Sequence, residues 1–199
     1  MIKKIGSNYG GWMIDLDLIP SGSTVISAGL GNDISFDEEL IKLKDCTIIG
    51  IDPTLLSEKT IKRKKIESKN FIYVKRGLYK DDNGFEMSNG NTNGNSMFNV
   101  KVKTMLTISL STIFKHYINI SVLKMNIEGA EYPVILNLNE IPKIKQVCIR
   151  FHHRKDIIYS FAHTILCLNK FKEWNYEILY ESNPNNKKVD YEVLLCKKK

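Results

Sequence analysis

Several things are scarce in this 199-residue chain. Its uninterrupted apolar runs, such as Val193–Cys196, are far too short to span a bilayer. The opening MIKKIGSNYGG has no apolar core of the kind a secretory leader needs. The expectation is a soluble, cytoplasmic protein with no membrane partner. Cysteine is limited to Cys46, Cys148, Cys167 and Cys196, with no CxxC pair, which argues against a structural zinc site or a dithiol redox motif. These four read as reduced core thiols. Arginine occurs only at positions 63, 76, 150 and 154, so the net charge of +7 is carried by lysine. Clusters at 62–65, 187–188 and 197–199 could attract a polyanion. Isoleucine and asparagine are abundant alongside lysine, a bias that an AT-rich genome produces, so the lysines read mainly as solvated surface and nucleic acid is not the expected partner. No linker or internal repeat divides the chain, and one domain over 1–199 is expected.

What is present is a core. With 43% hydrophobic residues the chain can bury one. Short β-branched runs alternate with amphipathic stretches: Thr24–Ala28, then a helix carrying Phe36, Leu40, Ile41 and Leu43 that Ser35 could cap; Thr47–Ile51, then a helix over 54–68 whose apolar residues are Leu55, Leu56, Ile61 and Ile66; then Phe71–Val74. Residues 77–87 carry the turn signal Asp82-Asn83-Gly84 and read as a hairpin. Residues 84–97 include an Asn/Gly-rich stretch, expected to be a mobile loop, and an exposed strand is expected over Phe98–Lys103. A short helix over Leu110–Tyr117 precedes Val122–Met125, a helix over Tyr132–Leu138, a strand over Gln146–Phe151 and a helix within Ile157–Trp174. Two β-runs, Tyr176–Tyr180 and Tyr191–Cys196, close the chain. Alternation of this kind predicts a doubly wound, mostly parallel α/β sheet of about seven strands with a C-terminal antiparallel hairpin, the architecture of class I methyltransferases. Residues 1–20 are left as an N-terminal arm.

Ligands of such sheets bind beyond the carboxyl ends of the strands. There the first core strand runs into Gly29-Leu30-Gly31, which permits a tight turn and close backbone approach. A dinucleotide fingerprint would place a third glycine at 34, where Ile34 stands, so a ligand without pyrophosphate is favoured. Asp52, 23 residues after Gly29, is spaced to accept hydrogen bonds from ribose hydroxyls. Nucleoside plus carboxylate without diphosphate describes S-adenosylmethionine. Another nucleotide-binding α/β protein, or a fold with no such ligand, remains open on these residues alone.

The motifs resemble those of the FkbM-type S-adenosylmethionine-dependent methyltransferases. The residues that carry the resemblance are Gly29-Leu30-Gly31-Asn32-Asp33-Ile34-Ser35-Phe36-Asp37, Asp52-Pro53, Gly77-Leu78-Tyr79 and Lys124-Met125-Asn126-Ile127-Glu128-Gly129-Ala130-Glu131. Gly10-Gly11-Trp12 upstream and QVCIRFHH at 146–153 downstream fit as well. The resemblance implies O-methylation of a hydroxyl on a small molecule or sugar, with S-adenosylmethionine as cofactor and S-adenosylhomocysteine as product. It implies that Gly29, Gly31 and Asp33 contact the methionine end, that Asp52 holds the ribose, that Gly77 and Leu78 border the adenine, and that Asn126 and Glu128 lie near the methyl. Tyr9 and Trp12 could cover the cofactor.

Two positions depart from the family pattern. Asn126 stands where an aspartate is usual and Arg150 where a glutamate is usual. A neutral amide cannot act as a base and weakens any carboxylate cluster for a divalent metal, so no metal ligands are assigned. The candidate bases are then Glu128, Glu131 and His152, and an Arg150–Glu128 or Arg150–Glu131 ion pair is expected as compensation. Only one of His152 and His153 can face the site if the strand continues through them. His116 and His163 read as structural. The alternatives are a weakened methyltransferase fold that only binds, and an RNA methyltransferase. The turn sequence NIEG, in place of the [ND]PPY form used for amine methylation of bases, counts against the second.

Overall fold

The computed structural model describes residues 1–66, 69–87, 103–153, 158–182 and 190–198. The chain opens with β1 (Ile2–Ile5) and β2 (Trp12–Asp15), an antiparallel pair followed by a 3₁₀ turn at Leu16–Leu18. Strand β3 (Thr24–Ala28) leads to α1 (Ser35–Lys44), β4 (Thr47–Ile51) to α2 (Leu55–Lys64), and β5 (Phe71–Val74) follows. Four short strands come next: β6 (Gly77–Tyr79), β7 (Phe85–Met87), β8 (Lys103–Met105) and β9 (Thr107–Ser109). Then α3 (Leu110–His116), β10 (Ile120–Met125), α4 (Glu131–Leu136), β11 (Gln146–His152), α5 (Phe161–Glu173), β12 (Tyr176–Glu181) and β13 (Asp190–Lys197) complete the order.

Seven strands make the central sheet in the order β12-β13-β11-β10-β3-β4-β5. Its pairs are parallel from β11 through β5, and β13 runs antiparallel to both β11 and β12. The expected fold class is therefore the observed one. The alternation is strict enough to assign faces. Val25, Ile48, Val122, Cys148 and Leu194 point to one core with Phe36 and Leu40 of α1, Ile61 of α2 and Trp12 and Ile14 of β2. Ile26, Ile49, Leu123, Val147 and Val193 point to the other with Ile113 of α3, Tyr132 and Ile135 of α4, and Phe171 of α5. Both faces of the parallel strands are covered, which is why β10 is buried along its whole length.

The first twenty residues are tied down. Gln146 at the start of β11 accepts from the Asp15 amide at 2.7 Å and donates to the Asp15 carbonyl at 2.8 Å, fixing the β1–β2 hairpin against the sheet. That places Trp12 over the carboxyl ends of the strands.

Some expectations are corrected. Residues 77–87 do not form a hairpin. β6 pairs with β9 in parallel and β7 with β8 antiparallel, because Asp82 is drawn into bonds with the Ser109 amide and the Thr112 hydroxyl, both at 2.5 Å. The Asn/Gly-rich stretch beyond Met87 and most of the expected strand over 98–103 lie outside the described residues. Ser35 is the first residue of α1 and not its cap; its amide donates to Asp33 at 2.9 Å. The helix expected within 157–174 begins at Phe161. Leu55 and Leu56 are 61% and 44% exposed, since Ser57, Thr60 and Ile61 supply the buried stripe of α2.

Candidate active site

The site is built at the carboxyl ends of the parallel neighbours β3 and β10, where the order of strands in the sheet reverses. After β3 the chain turns through Gly29 at φ +79° and Gly31 at φ +55°. A Cβ on Gly29 would stand 1.9 Å from the Asn126 carbonyl oxygen, so the neighbouring strand end leaves room for nothing larger. Asp52, at the end of β4, holds this turn. One carboxylate oxygen accepts from the Leu30 and Gly31 amides at 2.9 and 3.0 Å, the other from Thr54 at 2.8 Å. Lys124 holds it from below, its buried ammonium donating to the Gly29 carbonyl at 2.6 Å. Burial pushes the Lys124 pKa down, against the raising effect of Asp37 and Asp52. Asp33 closes the far side, accepting from the Ser7 hydroxyl at 2.5 Å and from Ser35. Burial opposes its charge, but these bonds outweigh it and keep its carboxyl below the ordinary value.

The turn after β10 is the second wall. Asn126 donates its backbone amide to the Ala28 carbonyl at 3.0 Å, and its buried side-chain oxygen has no hydrogen-bond partner among the described residues. Glu128 takes a left-handed backbone at φ +54° and Gly129 follows at φ +102°. That path is costly for a side-chain-bearing residue, on the order of 1–3 kcal/mol. Glu131 stabilises it. Its wholly buried carboxylate accepts from the Ile127 amide at 2.7 Å and the Gly129 amide at 2.8 Å, satisfying donors at the start of α4. Glu131 also meets His152 Nδ1 at 2.9 Å, while His152 Nε2 lies 3.4 Å from Glu128. His153 turns the other way, 3.5 Å from the Tyr132 hydroxyl and edge-on to Phe161. His152 is thus the histidine of the pair that reaches the site.

Burial alone would lower the His152 pKa, but Glu131, by charge and hydrogen bond, and then Glu128 and Asp190, outweigh it and raise the value above the ordinary one. A pH dependence follows. Stabilisation from the charged imidazole is complete below about pH 6.5 and is lost as pH rises through the raised native value. Urea midpoints measured from pH 6 to 9 should fall over that upper range. His152→Gln should flatten the profile, and an unchanged profile would rule His152 out as its source.

A cleft of about 520 Å³ opens between the two walls, lined by Gly29, Gly31, Asp33, Asp52, Asn126 and Glu128 among others, with Tyr9 and Trp12 at its N-terminal side. A smaller apolar extension of about 90 Å³ is bordered by Gly77, Leu78, Met105 and Ile127, and shares Gly29, Asp52, Asn126 and Glu128 with the cleft. All seven residues expected to bind the cofactor therefore border one continuous space. Of the three candidate bases, Glu128 lines it, and His152 and Glu131 stand behind Glu128.

Arg150 does not compensate in the expected way. It pairs with Glu192 of β13 at 2.6 Å, and not with Glu128 or Glu131, because antiparallel pairing sets residues 150 and 192 opposite each other. Its guanidinium carbon lies 5.1 Å from the centre of the Trp12 ring, on which Lys124 also rests at 5.6 Å. The sequence points to no role for Lys124 or Glu192, and for Trp12 only to that of covering the cofactor. A lysine inside an apolar strand is a signal that could have found the first.

Three comparisons bear on identity. The model of the family described as "Methyltransferase FkbM domain" matches residues 17–178. No curated protein matches the chain. Among solved structures, an rRNA methylase from Streptococcus thermophilus is similar with a TM-score of 0.54 at 11% identity, over 92% of this chain and 91% of that one. M. capricolum TrmK, solved with S-adenosyl-homocysteine, has a TM-score of 0.51 at 14% identity, over 94% and 70%. The Methanococcus jannaschii fibrillarin pre-rRNA processing protein has a TM-score of 0.54 at 9% identity, over 92% and 69%. At such identities the structural likeness establishes the fold, and the family match spans most of the chain: it belongs to the FkbM family of S-adenosylmethionine-dependent methyltransferase domains.

Proposed function

We propose that the chain methylates a hydroxyl oxygen of a small molecule or sugar. The observation that carries the reading is the Glu128–His152–Glu131 line, which ends on a carboxylate in the cleft.

The residues present fit the cofactor. The turn at Gly29 is closed to any side chain, whereas a Cβ on Gly31 would meet nothing within 4 Å, so the glycine loop presents bare backbone to an open cleft. The unpartnered Asn126 oxygen is a hydrogen-bond acceptor awaiting a donor. Three carboxylates, Asp33, Asp52 and Glu128, line a cavity of the size usual for small ligands and complement a cation. Gly29, Gly31 and Asp33 would hold the amino-acid end, Asn126 would border the methyl, Asp52 would hold the ribose, and Gly77 and Leu78 the base. Asp52 can serve both loop and ribose, since a carboxylate has about four acceptor sites. When bound, the cofactor supplies an electrophilic methyl group on a sulfonium.

The chain's own residues then position the acceptor and take its proton. Glu128 is the carboxylate that reaches the hydroxyl, and the hydroxyl proton passes to it. His152, held between two carboxylates, fixes the Glu128 side chain. Glu131 fixes His152 and, through the Ile127 and Gly129 amides, the backbone on which Glu128 sits. Asn126 is neutral and orients without accepting a proton.

Cofactor binding is tested by thermal or urea denaturation with S-adenosylhomocysteine. At a hundredfold excess over Kd the native state should gain about 2.7 kcal/mol. No stabilisation at millimolar ligand would favour a binding-only fold. Hydroxyl transfer is tested by incorporation of labelled methyl into a panel of hydroxyl compounds and their amine counterparts; methylation of the amines alone would overturn the O-methyl reading.

A further inference from the structure

We infer that the methyl acceptor carries an anionic group, a carboxylate, phosphate or sulfate, which Arg150 receives in the cleft. The inference rests on the cofactor placement proposed above.

The order of strands supplies the first step. Passing across the sheet from β4 through β3 to β10, the lining residues Asp52, Gly29 and Asn126 correspond to ribose, amino-acid end and methyl. Strand β11 is next, and it carries both His152 and Arg150. An acceptor whose hydroxyl meets Glu128 extends over β11, where Arg150 lines the same cleft.

The state of the guanidinium supplies the second. Its side chain is 28% exposed. It has five N–H donors, of which Glu192 engages one nitrogen from the β13 side. The indole of Trp12 packs against it, so the side chain is held in place before any ligand arrives, and little rotamer freedom is lost on binding. Lys124 lies on that indole too, with Asp37 and Asp52 near it as Glu192 is near Arg150. A planar fork with donors facing a cavity matches carboxylate and phosphate geometry. A neutral polyol would offer those donors only uncharged hydroxyl acceptors, without the matching fork.

Two experiments decide the matter. The first needs no acceptor. In a Trp174→Phe background, Trp12 is the remaining tryptophan. Titrating the protein loaded with S-adenosylhomocysteine with inorganic phosphate or acetate, at constant ionic strength, should shift Trp12 emission saturably. Arg150→Gln should abolish the shift. Absence of a saturable shift in the wild-type side chain overturns the inference.

The second measures methylation of matched acceptors, a hydroxy acid against its amide and a sugar phosphate against its sugar. The anionic member of each active pair should be preferred. Arg150→Gln should lower its kcat/KM about ten- to hundredfold, mainly through KM, as expected for a lost charge-assisted bond. Arg150→Glu should reverse the preference. Equal rates for both members, or a preference that survives Arg150→Gln, overturns the inference. So does a matching loss of S-adenosylhomocysteine affinity in Arg150→Gln, which would assign the guanidinium to the cofactor's carboxylate. Failure of the unaltered protein to bind S-adenosylhomocysteine is a separate result: it removes the cofactor placement itself.

Discussion

Alanine at Gly29 should abolish cofactor binding and destabilise the fold by about 3 kcal/mol or more, well beyond an ordinary glycine substitution. Two effects combine. The residue sits at φ +79°, where a Cβ is strained. That Cβ would also meet the Asn126 carbonyl at 1.9 Å, a backbone atom that cannot swing aside. Relief requires parting the ends of β3 and β10, which carry both walls of the cleft. Gly31→Ala is the control. It shares the left-handed backbone but its Cβ points into open space, so it should lose only the conformational term, about 1 kcal/mol. Urea denaturation of both variants checks the difference. Equal losses would show that the close approach at Gly29 has no energetic consequence.

The second large effect separates the two glutamates. Glu131→Gln should destabilise by about 3–5 kcal/mol, because it removes the buried charge facing His152. It also sets an amide NH₂ against the donors of Ile127 or Gly129. Glu128→Gln should leave stability within about 0.5 kcal/mol, since its side chain reaches solvent, yet lower kcat by about 10²- to 10⁴-fold through loss of the base. S-adenosylhomocysteine affinity should survive in Glu128→Gln. Full methylation by Glu128→Gln would sink its assignment as the proton acceptor and return that role to His152.

Much of this arrangement can be read from the sequence. Short apolar runs followed by glycine, aspartate and asparagine mark β3, β4 and β10, and their order fixes which loops share a crevice. The junction VLKMNIEGAEYPVI has polar residues too dense for a simple connection, and it proves to hold both the left-handed turn and its internal brace. What escapes the sequence is where each charge is used. Asp33 and Asp52 look like ligand groups, yet both first organise backbone amides, Asp33 in its own loop and Asp52 in the glycine loop after β3. Arg150 looks like a partner for the nearest acids of the motif, but strand pairing delivers Glu192, from 42 positions away. The segment 77–109 misleads for a related reason. A local turn signal competes there with hydroxyl and amide partners more than twenty residues distant, and the distant ones prevail.

Strand β13 has a further consequence, for the order in which the molecule is assembled. It lies between β11 and β12, although it follows both in the chain. Until it inserts, β11 presents an unpaired edge and β12 has no neighbour in the sheet. The same strand brings Glu192 to Arg150. The guanidinium is therefore tethered only when that insertion succeeds. Completion of the sheet and readiness to recognise an acceptor become a single event, and an incompletely folded copy cannot bind its acceptor in the finished way.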